Sequence, residues 1–193
     1  MPYFSWSEMI VVAVVGLARS GKDTIAKIFE KQHGFEHFDF YENVIAPIMK
    51  AQGKKPSKKT AASFGNEMRS KFGMQVFADK MVEQIKGKPK VVVTGARSLA
   101  EIQTLEKAAS QFFIVKVEAP SEMRFQRRSD LDPKEEKEFF ERDENDLENK
   151  GFREVLRLPG FTIENTGTIE ELEEKVKAIA EKIAGHSLGH AKP

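Results

Sequence analysis

Two glycines and a lysine near the start of the chain have the types and the spacing of a phosphate-binding loop. Gly16 and Gly21 are five residues apart and Lys22 follows directly, which matches the pattern G-x-x-x-x-G-K. The glycines allow a tight turn whose backbone N–H groups point inward, and the N-terminus of a following helix adds positive potential. Lys22 supplies a mobile positive charge for the outer phosphates. The motif, here called the phosphate loop (residues 16–22), therefore predicts a phosphate-bearing ligand.

The elements on either side of the phosphate loop are those that such a loop requires. The β-branched apolar run Ile10–Val15 predicts a buried strand, and the spacing of apolar residues from Thr24 to Gln32 predicts a helix. The alternative is an ordinary strand-to-helix turn, which this context disfavours. The residues expected to surround the nucleotide phosphates are Gly16, Ala18, Arg19, Ser20, Gly21, Lys22, Asp23 and Thr24.

Composition limits the classes of protein to which the chain can belong. With 193 residues and 40% hydrophobic content, the chain can bury a core, and we expect one domain over residues 1–185 followed by a flexible tail at 186–193. A net charge of +1 gives no general attraction to nucleic acid or to membranes. The absence of cysteine excludes disulfides and thiol catalysis. Since the apolar run before the phosphate loop is too short to span a bilayer, we expect a cytoplasmic protein.

The hydrophobic pattern predicts an α/β fold with a largely parallel sheet of five strands. A helical segment without strands occupies residues 41–88, between the second and third strands. A charged segment at 121–151, here called the lid, follows the fourth strand and reads as a solvent-facing flap. A final helix capped by Thr168 extends to about Ile183. The predicted strands are Ile10–Val15, Phe35–Phe40, 91–95, Phe112–Val117 and Phe161–Glu164.

The order of these features resembles that of nucleoside-monophosphate-kinase-like P-loop enzymes. The phosphate loop, the helical insert, the Gly-x-Arg of TGARS after the third strand and the arginine-rich lid all carry this resemblance. The chain looks closest to small archaeal adenylate-kinase-related proteins that are often labelled dephospho-coenzyme-A-kinase-like, over Ile10 to Ile183. The resemblance implies a sheet order of 2-3-1-4-5, an acceptor-binding insert, a lid that closes over the donor, and ATP with Mg²⁺ as cofactors.

The resemblance also implies roles for particular arginines. Arg69 in GNEMRSKFG and Arg97 in TGARS match positions on the acceptor side. Arg127 in MRFQRRSD and Arg142 in FFERDEND match arginines of the lid, with Arg124 or Arg128 as alternatives. The turn ENTGT resembles the segment that contacts the base of the donor, which implicates Asn165 and Gly167.

Phosphoryl transfer gives these matches a chemical reason. The reaction depends on positioning two substrates and neutralising phosphate charge, and guanidinium groups do both because they can engage phosphate oxygens in pairs. The catalytic candidates are Lys22, Arg97, Arg127 and Arg142. Asp39 lies at the C-terminal end of the second strand and either contacts the acceptor or caps the next helix. If the acceptor is a hydroxyl, Asp39 is the candidate base.

The expected magnesium ligands depart from the usual pattern. The residue after the loop lysine is Asp23 where a hydroxyl is usual, and the third strand ends in Thr94 where the resemblance leads us to expect an acid. Because Mg²⁺ takes few protein ligands, Asp23 and Thr94 could together replace the usual pair. The alternative is that Asp23 caps the helix while Thr24 supplies the hydroxyl, or that metal binding and activity are weakened.

These observations predict an ATP-dependent phosphotransferase that acts on a nucleoside or deoxynucleoside monophosphate or on dephospho-coenzyme A. The partner would be that small-molecule acceptor, with no membrane or nucleic acid involved and with a monomer or a homodimer left open. A second interpretation is a nucleotide-binding regulatory ATPase that hydrolyses ATP without an acceptor. A third, an RNA-associated factor that uses the basic turn GKKPSKK, is disfavoured because no aromatic residue is interleaved with those lysines.

Overall fold

A parallel sheet of five strands forms the centre of the computed structural model, which describes residues 9–130, 132–149 and 151–188. The strands are β1 (Ile10–Val15), β2 (Glu36–Asp39), β3 (Lys90–Thr94), β4 (Gln111–Glu118) and β5 (Phe161–Glu164). Their order in the sheet is β2-β3-β1-β4-β5, and every pair is parallel. The predicted α/β fold and strand order are confirmed.

The sheet is covered on both faces, as the unbroken apolar runs of its central strands require. Side chains alternate along β1, so that Val11 packs into one hydrophobic cluster and Val12 into the other. The helices are α1 (Lys22–His33), α2 (Ala46–Ala51), α3 (Lys58–Phe72), α4 (Val76–Ile85), α5 (Leu99–Ala108), α6 (Ser121–Gln126), α7 (Glu136–Asn149), α8 (Phe152–Arg157) and α9 (Ile169–Leu188). Helices α1 and α9 cover one face, and α4, α5 and α8 contribute to the other.

The segment between β2 and β3 is helical, as expected. A π-helical stretch, Phe40–Ile45, follows β2 directly and leads into α2, α3 and α4. Asp39 begins this stretch because its Oδ1 accepts hydrogen bonds from the backbone N–H groups of Tyr41 (2.9 Å) and Glu42 (3.1 Å). The capping role predicted for Asp39 is therefore present.

The lid differs from the solvent-facing flap that its charge predicts. It contains α6 and α7, and the side chains of Arg124, Asp132, Phe139 and Asp143 are all buried. These charged groups pair with one another and with the phosphate loop, whereas Glu122, Lys134 and Glu138 are exposed, so only part of the lid faces water.

The final helix is longer than predicted. Helix α9 extends to Leu188, so the tail expected at 186–193 begins with three helical residues. The rest of the expected tail (189–193) and the aromatic N-terminal arm (1–8) lie outside the described residues. Across the described ranges, none of the helices is both long enough and apolar enough to cross a membrane.

Candidate functional site

The phosphate loop connects β1 to α1 at the carboxyl edge of the sheet, and both of its glycines are needed for close approach. A Cβ at Gly16 would lie 2.5 Å from the carbonyl oxygen of Val117. Gly21 has a φ of 106°, and a Cβ there would lie 2.1 Å from Nδ2 of Asn165. The phosphate loop therefore packs against the ends of β4 and β5, and its backbone contacts them directly because the two glycines have no side chains.

Lys22 is buried, with 8% of its surface exposed, and its Nζ donates a hydrogen bond to the carbonyl of Leu17 at 2.8 Å. Burial and the nearby guanidinium of Arg97 lower the pKa of Lys22 to about 7, while carboxylates led by Asp23 partly oppose this shift. Burial disfavours the charged form of the Lys22 ammonium group. The oxygens of a bound phosphate would stabilise that charged form.

Asn165 joins the phosphate loop to the lid. Its Nδ2 donates to the carbonyl of Ser20 at 2.8 Å, and its own carbonyl accepts from Nη2 of Arg127 at 2.9 Å. Its backbone N–H donates to Glu118 at the end of β4, also at 2.8 Å. The turn predicted to contact a base thus lies against the phosphate loop. Beside it is a cavity of about 350 Å³ lined by Glu118, Ala119, Pro120, Glu164 and Thr166.

Two arginines from different elements donate hydrogen bonds to the backbone of the phosphate loop. Nη1 of Arg97, which follows β3, lies 3.3 Å from the carbonyl of Gly16, and Nη1 of Arg124 on α6 lies 3.1 Å from that of Ala18. Arg124 also pairs with Asp143 at 2.6 Å. The sequence favoured Arg127 over Arg124, but both reach this site, whereas Arg128 stacks on the ring of Phe125.

Asp132 is the main residue of the site that sequence reasoning missed. Its side chain is 1% exposed, and it pairs with Arg19 of the phosphate loop and with Arg142 of α7, the latter at 2.7 Å. Burial alone would raise the pKa of Asp132, but hydrogen bonds from the backbone of Ser129 and from the two arginines hold it well below its usual range. Arg19 has a φ of 60°, a left-handed conformation that this pairing helps to maintain.

Several buried polar atoms around the phosphate loop have no hydrogen-bond partner within the described part of the chain. They are Oγ of Ser20, Nη1 of Arg127, Nε and Nη2 of Arg142, and Oδ1 of Asp143. Buried donors without acceptors are rare, because each loses its hydrogen bonds to water on folding and gains no partner in the protein. Three of these atoms are guanidinium nitrogens, so the set fits an anionic group with many acceptor oxygens, such as a triphosphate.

Arg69, the predicted acceptor-side arginine, is engaged by the protein itself. Its Nε and Nη2 donate to Oε1 of Glu101 at 3.1 and 2.7 Å, and the guanidinium lies over the ring of Phe77. The other oxygen of Glu101 accepts from the backbone N–H of Arg97 at 2.7 Å. Arg69 therefore supports the turn that carries Arg97, and its contact with an acceptor stays a prediction.

Asp39 and Thr94 are cross-strand neighbours at the carboxyl ends of β2 and β3. The Thr94 hydroxyl donates to Oδ2 of Asp39 at 2.7 Å, and Nε2 of His37 lies 2.9 Å from the same hydroxyl. Because Thr94 donates its only proton to Asp39, His37 is the donor in the second bond, which places a proton on its Nε2.

These contacts bear on the predicted magnesium ligands. Thr94 is fully buried and presents no exposed oxygen, so of the two predicted ligands only Asp23 is available. Asp23 and Thr24 are exposed in the first turn of α1, whose N-cap is Gly21 without a side-chain hydrogen bond. Asp23 is therefore not the capping residue. The described residues contain no group of three or more His, Asp or Glu side chains suited to a metal ion.

Comparison with solved structures identifies the fold. The chain is similar to a gluconokinase from Sinorhizobium meliloti, with a TM-score of 0.59 and 12% identity over 97% of this chain and 99% of that one. It is also similar to a shikimate kinase from Bacteroides thetaiotaomicron, with a TM-score of 0.57 and 16% identity over 91% and 99% of the two chains. The protein thus has the P-loop kinase fold.

Sequence comparison identifies the family. The chain is 32% identical to a UPF0200 protein from Thermococcus kodakarensis over 90% of this chain and 98% of that protein. It is 33% identical to a UPF0200 protein from Pyrobaculum aerophilum over 86% and 94% of the two chains. The protein belongs to the UPF0200 family.

One relative is considerably longer. The chain is 33% identical to a UPF0200/UPF0201 protein from Archaeoglobus fulgidus and spans 57% of that protein's length. No family model matches the chain. The expected likeness to P-loop kinases is confirmed at the level of fold, and the finer likeness to adenylate or dephospho-coenzyme A kinases stays a prediction.

Proposed function

We propose that this protein is an ATP-dependent phosphotransferase that acts on a nucleotide-like small molecule. The observation that carries the proposal is the set of buried, unpartnered guanidinium nitrogens on Arg127 and Arg142 beside the phosphate loop. A protein that binds a neutral ligand does not need unpartnered guanidinium donors in its binding site. A transferring phosphoryl group does, because its charge is spread over three equatorial oxygens.

The remaining residues take roles that follow from their positions. Lys22 and the loop backbone hold the outer donor phosphates, Arg97 lies between donor and acceptor, and Asn165 with Gly167 borders the base. Asp23 is the side chain that would hold Mg²⁺, either directly or through water. When bound, the metal ion neutralises charge that develops on the β and γ phosphates.

The lid contributes by excluding water. Its buried ion pairs and Phe139 place α6 and α7 over the phosphate loop, so that an acceptor can compete with water for the phosphoryl group. Transfer to an acceptor rather than hydrolysis is therefore the expected outcome.

Product formation from labelled ATP and Mg²⁺ tests this proposal. The acceptors to compare are nucleoside monophosphates, deoxynucleoside monophosphates, nucleosides and dephospho-coenzyme A. We expect label in an acceptor for the wild-type protein and at least a hundredfold slower transfer for Lys22→Met. Lys27→Met is the matched control, since Lys27 is exposed on the same helix.

The result that contradicts the proposal is equally clear. If ATP is hydrolysed at the same rate with and without every acceptor and no acceptor gains label, the protein acts as a nucleotide-dependent switch or regulatory ATPase. Loss of hydrolysis in Lys22→Met would then assign that hydrolysis to the phosphate loop and not to a contaminant.

A further inference from the structure

Helix α7 of the lid presents two carboxylates on one face. Asp143 and Asp146 are three residues apart, so they lie on the same side of the helix. Asp143 pairs with Arg124 at 2.6 Å, and Asp146 pairs with Nε of Arg97 at 3.4 Å. Each of these two arginines also donates a hydrogen bond to a carbonyl of the phosphate loop. The same face of α7 is therefore linked to the loop twice, each time through an arginine.

The two pairs differ in the elements that they join. Arg124 belongs to α6, so its pair with Asp143 lies within the lid. Arg97 follows β3, so its pair with Asp146 joins the lid to the carboxyl edge of the sheet. Opening the lid would separate Asp146 from Arg97 and leave the pair within the lid intact.

The backbone and the side chain of Arg97 are held by different residues. Its backbone N–H donates to Oε2 of Glu101 at 2.7 Å, whichever way the side chain points. The side chain contacts Asp146, the carbonyl of Gly16 at 3.3 Å from Nη1, and the ring of Phe152, whose centroid lies 5.2 Å from the guanidinium carbon. Of these three contacts, the one with Asp146 joins opposite charges, and a carboxylate orients a guanidinium more strongly than a neutral carbonyl does.

The pair is placed where its charges act on the phosphate loop. Burial and then the charge of Arg97 lower the pKa of Lys22, whereas Asp146 is among the carboxylates that raise it. Asp146 therefore offsets the repulsion between two cations that both lie at the loop. The side chains of Arg97 and Asp146 are only 23% and 13% exposed, so solvent weakens this effect less than it would at an open surface.

We propose that Asp146 is a positioning residue that couples closure of the lid to the orientation of Arg97. This role rests on the proposed phosphotransferase function. While the lid covers the phosphate loop, Asp146 holds Arg97 between donor and acceptor, where its charge stabilises the phosphoryl group during transfer. When the lid opens, Arg97 loses this partner. The arginine is therefore in place for the reaction only while the lid excludes water.

The contacts leave Arg97 able to bind a substrate oxygen. A guanidinium carries five N–H donors, and the contacts with Asp146 and with the phosphate loop engage Nε and Nη1. Asp146 itself need not touch either substrate, since it acts through the arginine.

Asp146→Asn removes the charge and keeps the size of the side chain. With the acceptor that gains label from ATP, we expect kcat to fall about tenfold and KM for ATP to stay unchanged, because the phosphate loop still holds the donor. Glu148→Gln is the matched control. Glu148 lies on the same helix and pairs with Arg153, but at least half of each of these side chains is exposed, so kcat should equal that of the wild type. A raised KM with unchanged kcat in Asp146→Asn would contradict the positioning role.

Two further variants test whether Asp146 acts through Arg97. In an Arg97→Gln background, Asp146→Asn should lower kcat less than twofold, since the partner is already gone. A tenfold loss in both backgrounds would show that Asp146 acts elsewhere. Asp146→Glu restores the charge and should recover most of kcat, whereas a loss as large as that of Asp146→Asn would point to packing and overturn the proposal.

The Nε–Hε NMR signal of Arg97 gives a readout that needs no turnover. Its loss in Arg97→Gln assigns the signal, which should shift in Asp146→Asn and stay in place in Glu148→Gln. An unchanged signal in Asp146→Asn overturns the pairing. Equal kcat for transfer in the wild type and Asp146→Asn overturns the positioning role alone, whereas hydrolysis of ATP by the wild type without labelling any acceptor overturns the proposed function as well.

Discussion

The phosphate loop and the lid meet at the same site, but different forces hold them in place. The strand before the loop is entirely apolar, and each residue of β1 is buried between two hydrophobic clusters. The lid instead reaches the loop through charged groups, with Arg124 bound to Asp143 and Asp132 bound to both Arg19 and Arg142. The strand is fixed by the hydrophobic effect, and the lid is fixed by ion pairs together with the buried ring of Phe139.

This difference separates global stability from local opening. Apolar burial in β1 contributes to the whole domain, because losing it disturbs both faces of the sheet. Ion pairs between the lid and the loop can break while the sheet stays intact, and the oxygens of a bound phosphate can replace the carboxylates as partners of the arginines. The lid is therefore the part of the site whose position a ligand can change.

The largest expected effect is on lid opening. Asp132→Asn removes the charge shared by Arg19 and Arg142, and breaking such buried pairs should lower the free energy of lid opening by about 3 kcal/mol. Amide hydrogen exchange of peptides from residues 121–149 measures this change. Peptides from β1 provide the control and should exchange as in the wild type. Equal acceleration in both regions would show that the lid and the sheet open together.

The complementary change is in the sheet. Val12→Ala creates a cavity at a fully buried position of β1 and should lower the free energy of global unfolding by about 2 kcal/mol. Urea denaturation measures this loss, and the lid peptides of the folded variant should retain wild-type hydrogen exchange. Faster local exchange in the lid, without a change in the urea midpoint, would contradict the separation of the two regions.

The next effect is a change of about 1.4 kcal/mol in the free energy of ATP binding between pH 6 and pH 8, caused by the titration of Lys22. The pKa of about 7 in the ligand-free protein should rise when phosphates bind, so binding takes up a proton and weakens as pH rises through 7. Affinity for ATP should fall about tenfold from pH 6 to pH 8. Calorimetry in buffers of different ionisation enthalpy measures the proton uptake, and Lys22→Met should abolish this component. A flat profile in the wild-type protein would contradict a lowered lysine pKa.

The smallest effect is expected for an exposed ion pair next to the lid. Glu154 and Arg157 on α8 lie 3.0 Å apart, with more than half of each side chain exposed. Glu154→Gln should change the free energy of unfolding by less than about 0.5 kcal/mol, measured by urea denaturation. If Glu154→Gln accelerated hydrogen exchange of the lid peptides as much as Asp132→Asn does, the number of ion pairs, rather than their burial, would hold this region.

The sequence was most informative where structure depends on local pattern. Strands β1 and β5 have the predicted bounds because short apolar runs between turn residues specify buried strands. The local sequence predicts Thr168 as a helix cap and Asp39 as either a cap or an acceptor contact. The Thr168 hydroxyl accepts from the N–H of Glu171, and Asp39 caps the π-helical stretch. The strand order came from a family resemblance, which shared motifs made possible.

The pairing of charges could not be predicted in this way. Arg19 and Asp132 are 113 residues apart, and Arg69 and Glu101 are 32 apart. Nothing in the local sequence distinguishes a carboxylate that will be buried against an arginine from one that will remain solvated. The sequence therefore does not predict the ion pairs of the lid or the pairing of Arg69 with Glu101, and the contact of Arg69 with an acceptor stays a prediction.

The position of β1 at the centre of the sheet affects how the site forms during folding. Ile10 pairs with Lys90 and with Gln111. The strand that carries the phosphate loop therefore cannot pair with its neighbours until segments about 80 and 100 residues further along the chain are available. Such long-range parallel pairing is intrinsically slow because large loops must close first. During synthesis on the ribosome, the phosphate loop is made before β3 and β4 and cannot take its final shape until β4 has emerged.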